Sequence, residues 1–306
     1  MKGVLNKLSF RIVLLLIIVI IVYMYVRRGS YYSTDRLHVV TFETDLNHIN
    51  LKKLTNSLNK YSYEYHILSD KEWKGFGTKI VSFHEYLKSI DPEQIVVFCD
   101  ARDVLCVNHN SRDLIEKFKT HIQTSKVVVS TEIGCCVPSN FNPGEYRSKT
   151  GEVLKKSFSL NEADKADKWK EMFKLRARDH DIMHDIEHKQ SIHLNSGMYM
   201  GRVKDIMNIH KLMNIDVTED DQLIMSEVFY HHPHLFHLDY NRDFFSNSHV
   251  WDTSNENEIE DDPGCYYKME KGKIIDTYLN SEPFFIQTPG KHYKCLDSIE
   301  KIDKIY

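Results

Sequence analysis

Two aspartates, Asp100 and Asp103, follow the apolar run Ile95–Cys99 in the order FCDARDV. In open parallel sheets ligands bind just beyond the carboxyl ends of the strands, so these carboxylates stand where a site belongs. Two hard oxygen ligands at this spacing suit Mn²⁺ or Mg²⁺ carrying a diphosphate. The competing reading is a polar turn in which Asp103 caps the next element. Asn195-Ser196-Gly197 interrupts the otherwise apolar strand HLNSGMYMG, a pattern that signals close approach of a ligand. Asp220-Asp221-Gln222 opens a helix, where an aspartate serves as a cap and three adjacent polar groups can also face a sugar. Gly75-Phe76-Gly77-Thr78-Lys79 begins another helix and could cradle a phosphate.

The elements that must position these groups alternate in kind. Leu37–Glu43 reads as a buried strand, and Leu51, Leu54 and Leu58 give Leu51–Lys60 a helical spacing. Tyr63–Leu68 is a second strand and Thr78–Ile90 a second amphipathic helix. Ile95–Cys99 has the continuous apolar character of a strand covered on both faces. A helix near Arg112–Thr120 and a strand at Lys126–Thr131 complete a βαβαβαβ order, which predicts a parallel sheet with right-handed crossovers. Residues 139–190 are polar, with one helix near Lys165–Arg178. A strand at Ile192–Met200 follows, then helices near Val203–Met213 and Asp220–Tyr230. Leu235–Asp239, Gly264–Tyr278 (a hairpin) and Pro283–Gln287 are strand-like again.

The chain has 306 residues and a mass of 36.1 kDa, with 42% hydrophobic and 27% charged residues, a globular balance that excludes wholesale disorder. A net charge of -4 and a pI near 6.5 argue against general nucleic-acid binding. Residues 12–26, IVLLLIIVIIVYMYV, carry no charge, and extension back to Leu8 brings the run to the length of a membrane span. Arg27-Arg28 follow it in place of the small residues a cleaved signal peptide would need, so the sequence predicts an uncleaved signal anchor. The expected partition is a cytoplasmic tail at 1–11, the anchor at 12–26, a stem at 27–36 and one domain at 37–306. A short tail before a long domain favours a single-pass type II protein of the endoplasmic reticulum or Golgi with the domain lumenal.

Other patterns compete for attention. His184-Asp185-Ile186-Glu187-His188 fits the HxxEH spacing of inverted zinc proteases, with His180 extending the same face. It sits in a polar stretch with little apolar support, and a solvated charged helix or acceptor-side loop is the preferred reading. His237, Asp239 and His292 mimic a two-histidine, one-carboxylate iron site. No arginine follows Arg242 to receive a 2-oxoglutarate carboxylate, so hydroxylase chemistry is rejected. Six cysteines permit two or three bridges. Either of the vicinal Cys135 and Cys136 could pair with Cys265 or Cys295, while Cys99 and Cys106 read as buried thiols.

Six segments share an order and spacing with a known family: WKGFGTK at 73–79, VVFCDARDVL at 96–105, VVVSTEIGCCVP at 127–138, LNSGMYMG at 194–201, DDQL at 220–223 and LDYNRDFF at 238–245. On these the chain resembles the GT-A glycosyltransferases, and most closely the glycosyltransferase domain of procollagen lysyl hydroxylases and their viral relatives, from Leu37 to Lys291. The resemblance implies an α/β GT-A (nucleotide-diphospho-sugar transferase) fold with a Rossmann-like, mostly parallel central sheet. It implies a metal-dependent hexosyltransferase that uses Mn²⁺ or Mg²⁺ to move a hexose from a UDP-sugar to a protein or glycan acceptor, such as hydroxylysine in collagen-like chains. Asp100 and Asp103 match the metal-binding aspartates. Val40, Thr41, Thr44, Lys79, Asp100, Ser196, Gly197 and Lys291 would meet the donor, and Asp220, Asp221 and Asn195 the reacting sugar. The family's third metal ligand is a histidine in an HGNG-like segment. Here FFIQTPGK puts Gln287 in that place, with His292 five residues on. A catalytically silent sugar- or collagen-binding module on the same fold is the alternative.

Overall fold

The computed structural model describes residues 36–69, 71–122, 126–132, 173–177, 191–248, 265–289 and 293–304. The predicted anchor at 12–26, the stem, the HxxEH run, Cys135, Cys136, Lys291 and His292 lie outside them. Among the described residues no helix is long and apolar enough to cross a membrane.

Six strands form the central sheet: β1 (Leu37–Phe42), β2 (Glu64–Leu68), β3 (Ile95–Cys99), β5 (Val127–Glu132), β6 (His193–Arg202) and β7 (Phe236–Leu238). A short strand, β4 (Val104–Cys106), falls between β3 and β5 in the chain and belongs to a second sheet. The order across the large sheet is β2-β1-β3-β6-β5-β7. The pairings β1–β2, β1–β3 and β5–β7 are parallel, whereas β6 runs antiparallel to both β3 and β5. The sheet is therefore mostly parallel, as predicted, but β5 does not lie beside β3. The βαβ order could not reveal this, because periodicity reports burial and not strand direction.

Burial on both faces explains the apolar runs. Val96 and Phe98 of β3 enter one core cluster with Ile80, Phe83 and Tyr199. Ile95, Val97 and Cys99 enter the other with Leu54, Leu58 and Phe285. Each such side chain contributes about 1.5–3 kcal/mol relative to exposure. The helices α1 (Ile49–Lys60), α2 (Gly77–Leu87), α3 (Ser111–His121), α4 (Val203–Met213) and α5 (Asp221–His231) supply the covering layers. Leu51, Leu54 and Leu58 are the buried stripe of α1, as their spacing predicts.

A three-stranded sheet stands beside the metal-loop candidates. In it β11 (Phe285–Gln287) pairs antiparallel with β4 and parallel with β8 (Phe245–Asn247). The hairpin predicted within 264–278 is β9 (Tyr267–Glu270) and β10 (Lys273–Asp276), and a final helix α6 (Tyr293–Asp303) packs behind it. A disulfide joins Cys265 to Cys295, so neither bonds to Cys135 or Cys136; Cys99 and Cys106 are buried free thiols. At the turn after β7, Arg242 is fully buried, donates to Asp276 at 2.6 Å and to Ser191 at 2.7 Å, and lies over the rings of Tyr266 and Tyr278. Asp239 accepts from the backbone N–H groups of Asp243, Phe244 and Phe245, which ties down the same turn. Its carboxylate thus has a structural occupation.

Candidate active site

The parallel strands β1, β3 and β5 end on the same side of the sheet, and each is followed or closed by an acid: Glu43, Asp100 and Glu132. The antiparallel β6 contributes its beginning at that edge, which is where Asn195-Ser196-Gly197 falls.

Asp100 follows β3, and its backbone N–H donates to the Gly197 carbonyl at 2.8 Å. Asp103 is held by its own carbonyl, which accepts from the Thr288 N–H at 2.7 Å. The turn between strands β3 and β4 thereby presents both carboxylates to β11. Gln287, the last residue of β11, is 2% exposed; its Nε2 donates to Asp100 Oδ2 at 3.3 Å and to the two oxygens of Asp103 at 3.4 and 3.3 Å. One amide nitrogen thus stands where both carboxylates converge, and all three contacts are long. Its Oε1 is buried with no hydrogen-bond partner. Burial and the charge of Asp100 push Asp103 up to about 8, and burial raises Asp100 despite the opposing Lys79. A hard cation between the carboxylates would relieve that repulsion, and the Gln287 amide turned over would supply its carbonyl as a third oxygen. The residues therefore fit a divalent metal. Among the described residues no group of three His, Cys, Asp or Glu side chains could hold one.

Lys79 links this pair to α5. Its ammonium lies 2.6 Å from Asp100 Oδ1 and 3.1 Å from Asp221 Oδ2. Burial alone would favour the neutral amine, but the two carboxylates outweigh it and raise the lysine above its ordinary range. Asp221 is itself buried at the start of α5. Asp220 accepts from the Leu223 N–H at 2.9 Å, the capping role that competes with a catalytic one.

The glycines of WKGFGTK have a different occupation from the predicted phosphate cradle. A Cβ on Gly77 would lie 1.9 Å from the Asp216 carbonyl oxygen, and its N–H donates to the Glu219 carbonyl. Gly77 is needed so that the segment leading into Asp220 can pack against α2. Gly197 does answer to the site: its absent Cβ would lie 2.3 Å from Gln287 Nε2 and 2.8 Å from Asp100 Oδ2.

Asn195 is occupied on every polar atom of its side chain. Its Oδ1 accepts from Ser130 Oγ at 3.1 Å and Gly197 N–H at 2.8 Å, and its Nδ2 donates to Glu132 Oε2 at 2.9 Å. It positions its neighbours. Gln222 donates to Glu132 and accepts from the Ser196 N–H at 3.2 Å. Burial pushes Glu132 up to about 7, even though both amides favour its charged form. On the donor side Val40 points into the core, Thr41 is buried, and Thr44 is exposed beyond the strand.

Sequence reasoning singled out neither Glu132, Glu43 nor Arg102, and it named Gln222 as a group that could face a sugar, not as a partner of Glu132. The signal for two of them was present, because an acid directly after a buried apolar run is the pattern that marked Asp100. Glu43 is 4% exposed and takes Arg102 in a two-point pair, Nε to Oε2 at 2.5 Å and Nη2 to Oε1 at 2.7 Å.

The family model of the PLOD GT domain matches residues 33–148, a range that holds three of the six shared segments. No curated protein sequence matches the chain. Among solved structures, a glycosyltransferase involved in the glycosylation of the major capsid of PBCV-1 aligns over 86% of this chain and 99% of its own, at 9% identity and a TM-score of 0.39. The Francisella tularensis 2-C-methyl-D-erythritol 4-phosphate cytidylyltransferase aligns over 67% and 89%, at 12% identity and a TM-score of 0.33. The 4-diphosphocytidyl-2C-methyl-D-erythritol synthase of Anaerococcus prevotii aligns over 64% and 84%, at 13% and 0.29. The chain resembles the glycosyltransferase domain of the procollagen lysyl hydroxylases, and glycosyl transfer is the activity which that resemblance supports.

Proposed function

We propose that the chain is a metal-dependent hexosyltransferase that moves a hexose from a UDP-sugar to an acceptor hydroxyl, hydroxylysine in collagen-like protein being the acceptor the family likeness suggests. The convergence of Asp100, Asp103 and the Gln287 amide on one point carries this reading. A bound Mn²⁺ or Mg²⁺ would supply charge neutralisation for the departing diphosphate. Asp100 and Asp103 would hold it, with the Gln287 carbonyl as a neutral third donor. Lys79 stands between this point and Asp221, so its ammonium faces the leaving group's charge on one side and the sugar's carboxylate partner on the other. Asp221, buried and salt-bridged, would stabilise positive character on the sugar or orient the acceptor hydroxyl. The Cys265–Cys295 disulfide supports an oxidising compartment, in line with the type II anchor read at 12–26 and a lumenal domain.

Donor hydrolysis without acceptor tests the reading. A panel of UDP-sugars with Mn²⁺ should give slow release of UDP that Asp103→Ala abolishes. Binding of a UDP-sugar without hydrolysis, and without transfer to a collagen peptide, would establish the silent-module alternative.

A further inference from the structure

The turn that carries Asp100 and Asp103 also carries a cation of its own. Arg102 lies between them in the chain, is 47% exposed at its side chain, and is a second cation beside a pair whose Asp100 already takes Lys79 at 2.6 Å. It is instead turned away, onto Glu43. That carboxylate is 4% exposed and sits just past β1, with Oε1 also accepting from the Asp45 N–H at 2.9 Å. The guanidinium is gripped at two nitrogens in the fork geometry that fixes its plane as well as its place. Burial opposes the charge on Glu43, yet Arg102 and the Asp45 N–H together hold its carboxyl below its usual range.

We infer that Glu43 is a positioning residue that keeps Arg102 off Asp100 and Asp103, leaving those carboxylates open to a divalent cation. The inference rests on the metal site proposed above. Its physical basis is competition. An arginine beside a buried carboxylate pair would neutralise it as a metal does, in bidentate form. A protein that is to bind a metal there must give that arginine a better partner, and a half-exposed guanidinium finds one only where a carboxylate is already fixed in place. Glu43 is fixed by the end of β1 and by the Asp45 N–H. Without it, Arg102 loses both of the oxygens that hold its guanidinium away from the loop, while remaining the chain neighbour of Asp103.

The test is a two-by-two set in the full-length chain: wild type, Glu43→Gln, Arg102→Ala and the double variant. Mn²⁺ affinity is read by electron paramagnetic resonance with no nucleotide present, and circular dichroism verifies folding. Glu43→Gln is expected to weaken Mn²⁺ binding about 10-fold, whereas in the Arg102→Ala background the same change should shift it less than about threefold. Arg102→Ala alone should bind Mn²⁺ at least as well as wild type. If the clasp merely shapes the loop, Arg102→Ala weakens binding as much as Glu43→Gln and the double variant shows no rescue, which overturns the inference. Equal affinities in all four proteins overturn it too. Failure of the wild type itself to bind Mn²⁺ sinks the metal site, and this inference with it. Because Arg102 is an exposed side chain, its single variant keeps the comparison decisive even if Glu43→Gln fails to fold.

Discussion

Replacing Gly197 with alanine should separate the site from the fold. The new methyl would lie 2.3 Å from Gln287 Nε2, 2.6 Å from its Oε1 and 2.8 Å from Asp100 Oδ2. Carbon contacts settle near about 3.5–4.0 Å, so the amide must retreat by about 1 Å and the carboxylate by somewhat less. Gln287 is anchored by the pairing of β11 with both Val104 and Asn247 and is almost wholly buried, so its side chain has little room to give. Overpacking of this kind costs about 1–3 kcal/mol of stability, and here the clashing atoms are side-chain ends, which places the loss at the low end. The carboxylates themselves move, so Mn²⁺ affinity should fall about 10- to 100-fold, as when groups that orient ligands are disturbed. Gly77→Ala is the contrast, because its methyl would meet a backbone oxygen at 1.9 Å, a clash no side-chain rotation relieves. It should cost far more stability in urea unfolding than Gly197→Ala. A folded Gly197→Ala protein whose Mn²⁺ titration matches wild type within threefold would refute the geometry.

Glu132 gives a pH signature. Its folded pKa of about 7 lies above the ordinary carboxyl value, so its stabilising contribution is whole below about pH 4.5 and is lost as pH rises through 7. Wild-type melting temperature should therefore fall over that interval relative to Glu132→Gln, by an amount equivalent to about 3 kcal/mol. Parallel curves from pH 4 to 8 would contradict this. Arg242→Met leaves Asp276 buried without its countercharge and should destabilise by about 3–5 kcal/mol in denaturant titration, with Asp276→Asn in the same chain recovering part of the loss. Replacing Cys265 and Cys295 together by serine opens a link between residues 30 apart and should cost about 3–4 kcal/mol, read as a lowered melting temperature under non-reducing conditions.

What the sequence made legible follows from what each signal encodes. Ile95–Cys99 is apolar at every position because both faces of β3 are covered, and that alone located Asp100 and Asp103. Asp221 was found by its place at a helix start, but its ion pair with Lys79 spans 142 positions of chain and leaves no local trace. The direction of β6 was invisible, since His193–Arg202 has the same burial whichever way it runs. Strands β4 and β8 have three residues each, too few for periodicity to register. Gln287 entered through the family likeness, and no property of a lone glutamine in FFIQTPGK would have chosen it. Glu43 and Glu132 obey the rule that found Asp100, yet each follows a run with a threonine near its end, which softened the contrast.

The antiparallel course of β6 has a bearing on how the rim of the site is closed. Glu132, at the end of β5, is paired in register with His193, at the start of β6, so the chain departs and returns through adjacent posts on the rim of the site. Ladder bonds hold the two posts together, and between them in the chain Phe173 and Ala177 are buried in the core, Phe173 stacked on Phe229. Asp100 and Asp103 stand in the turn after β3 and Lys79 on α2, so a change between the posts leaves them where the sheet puts them.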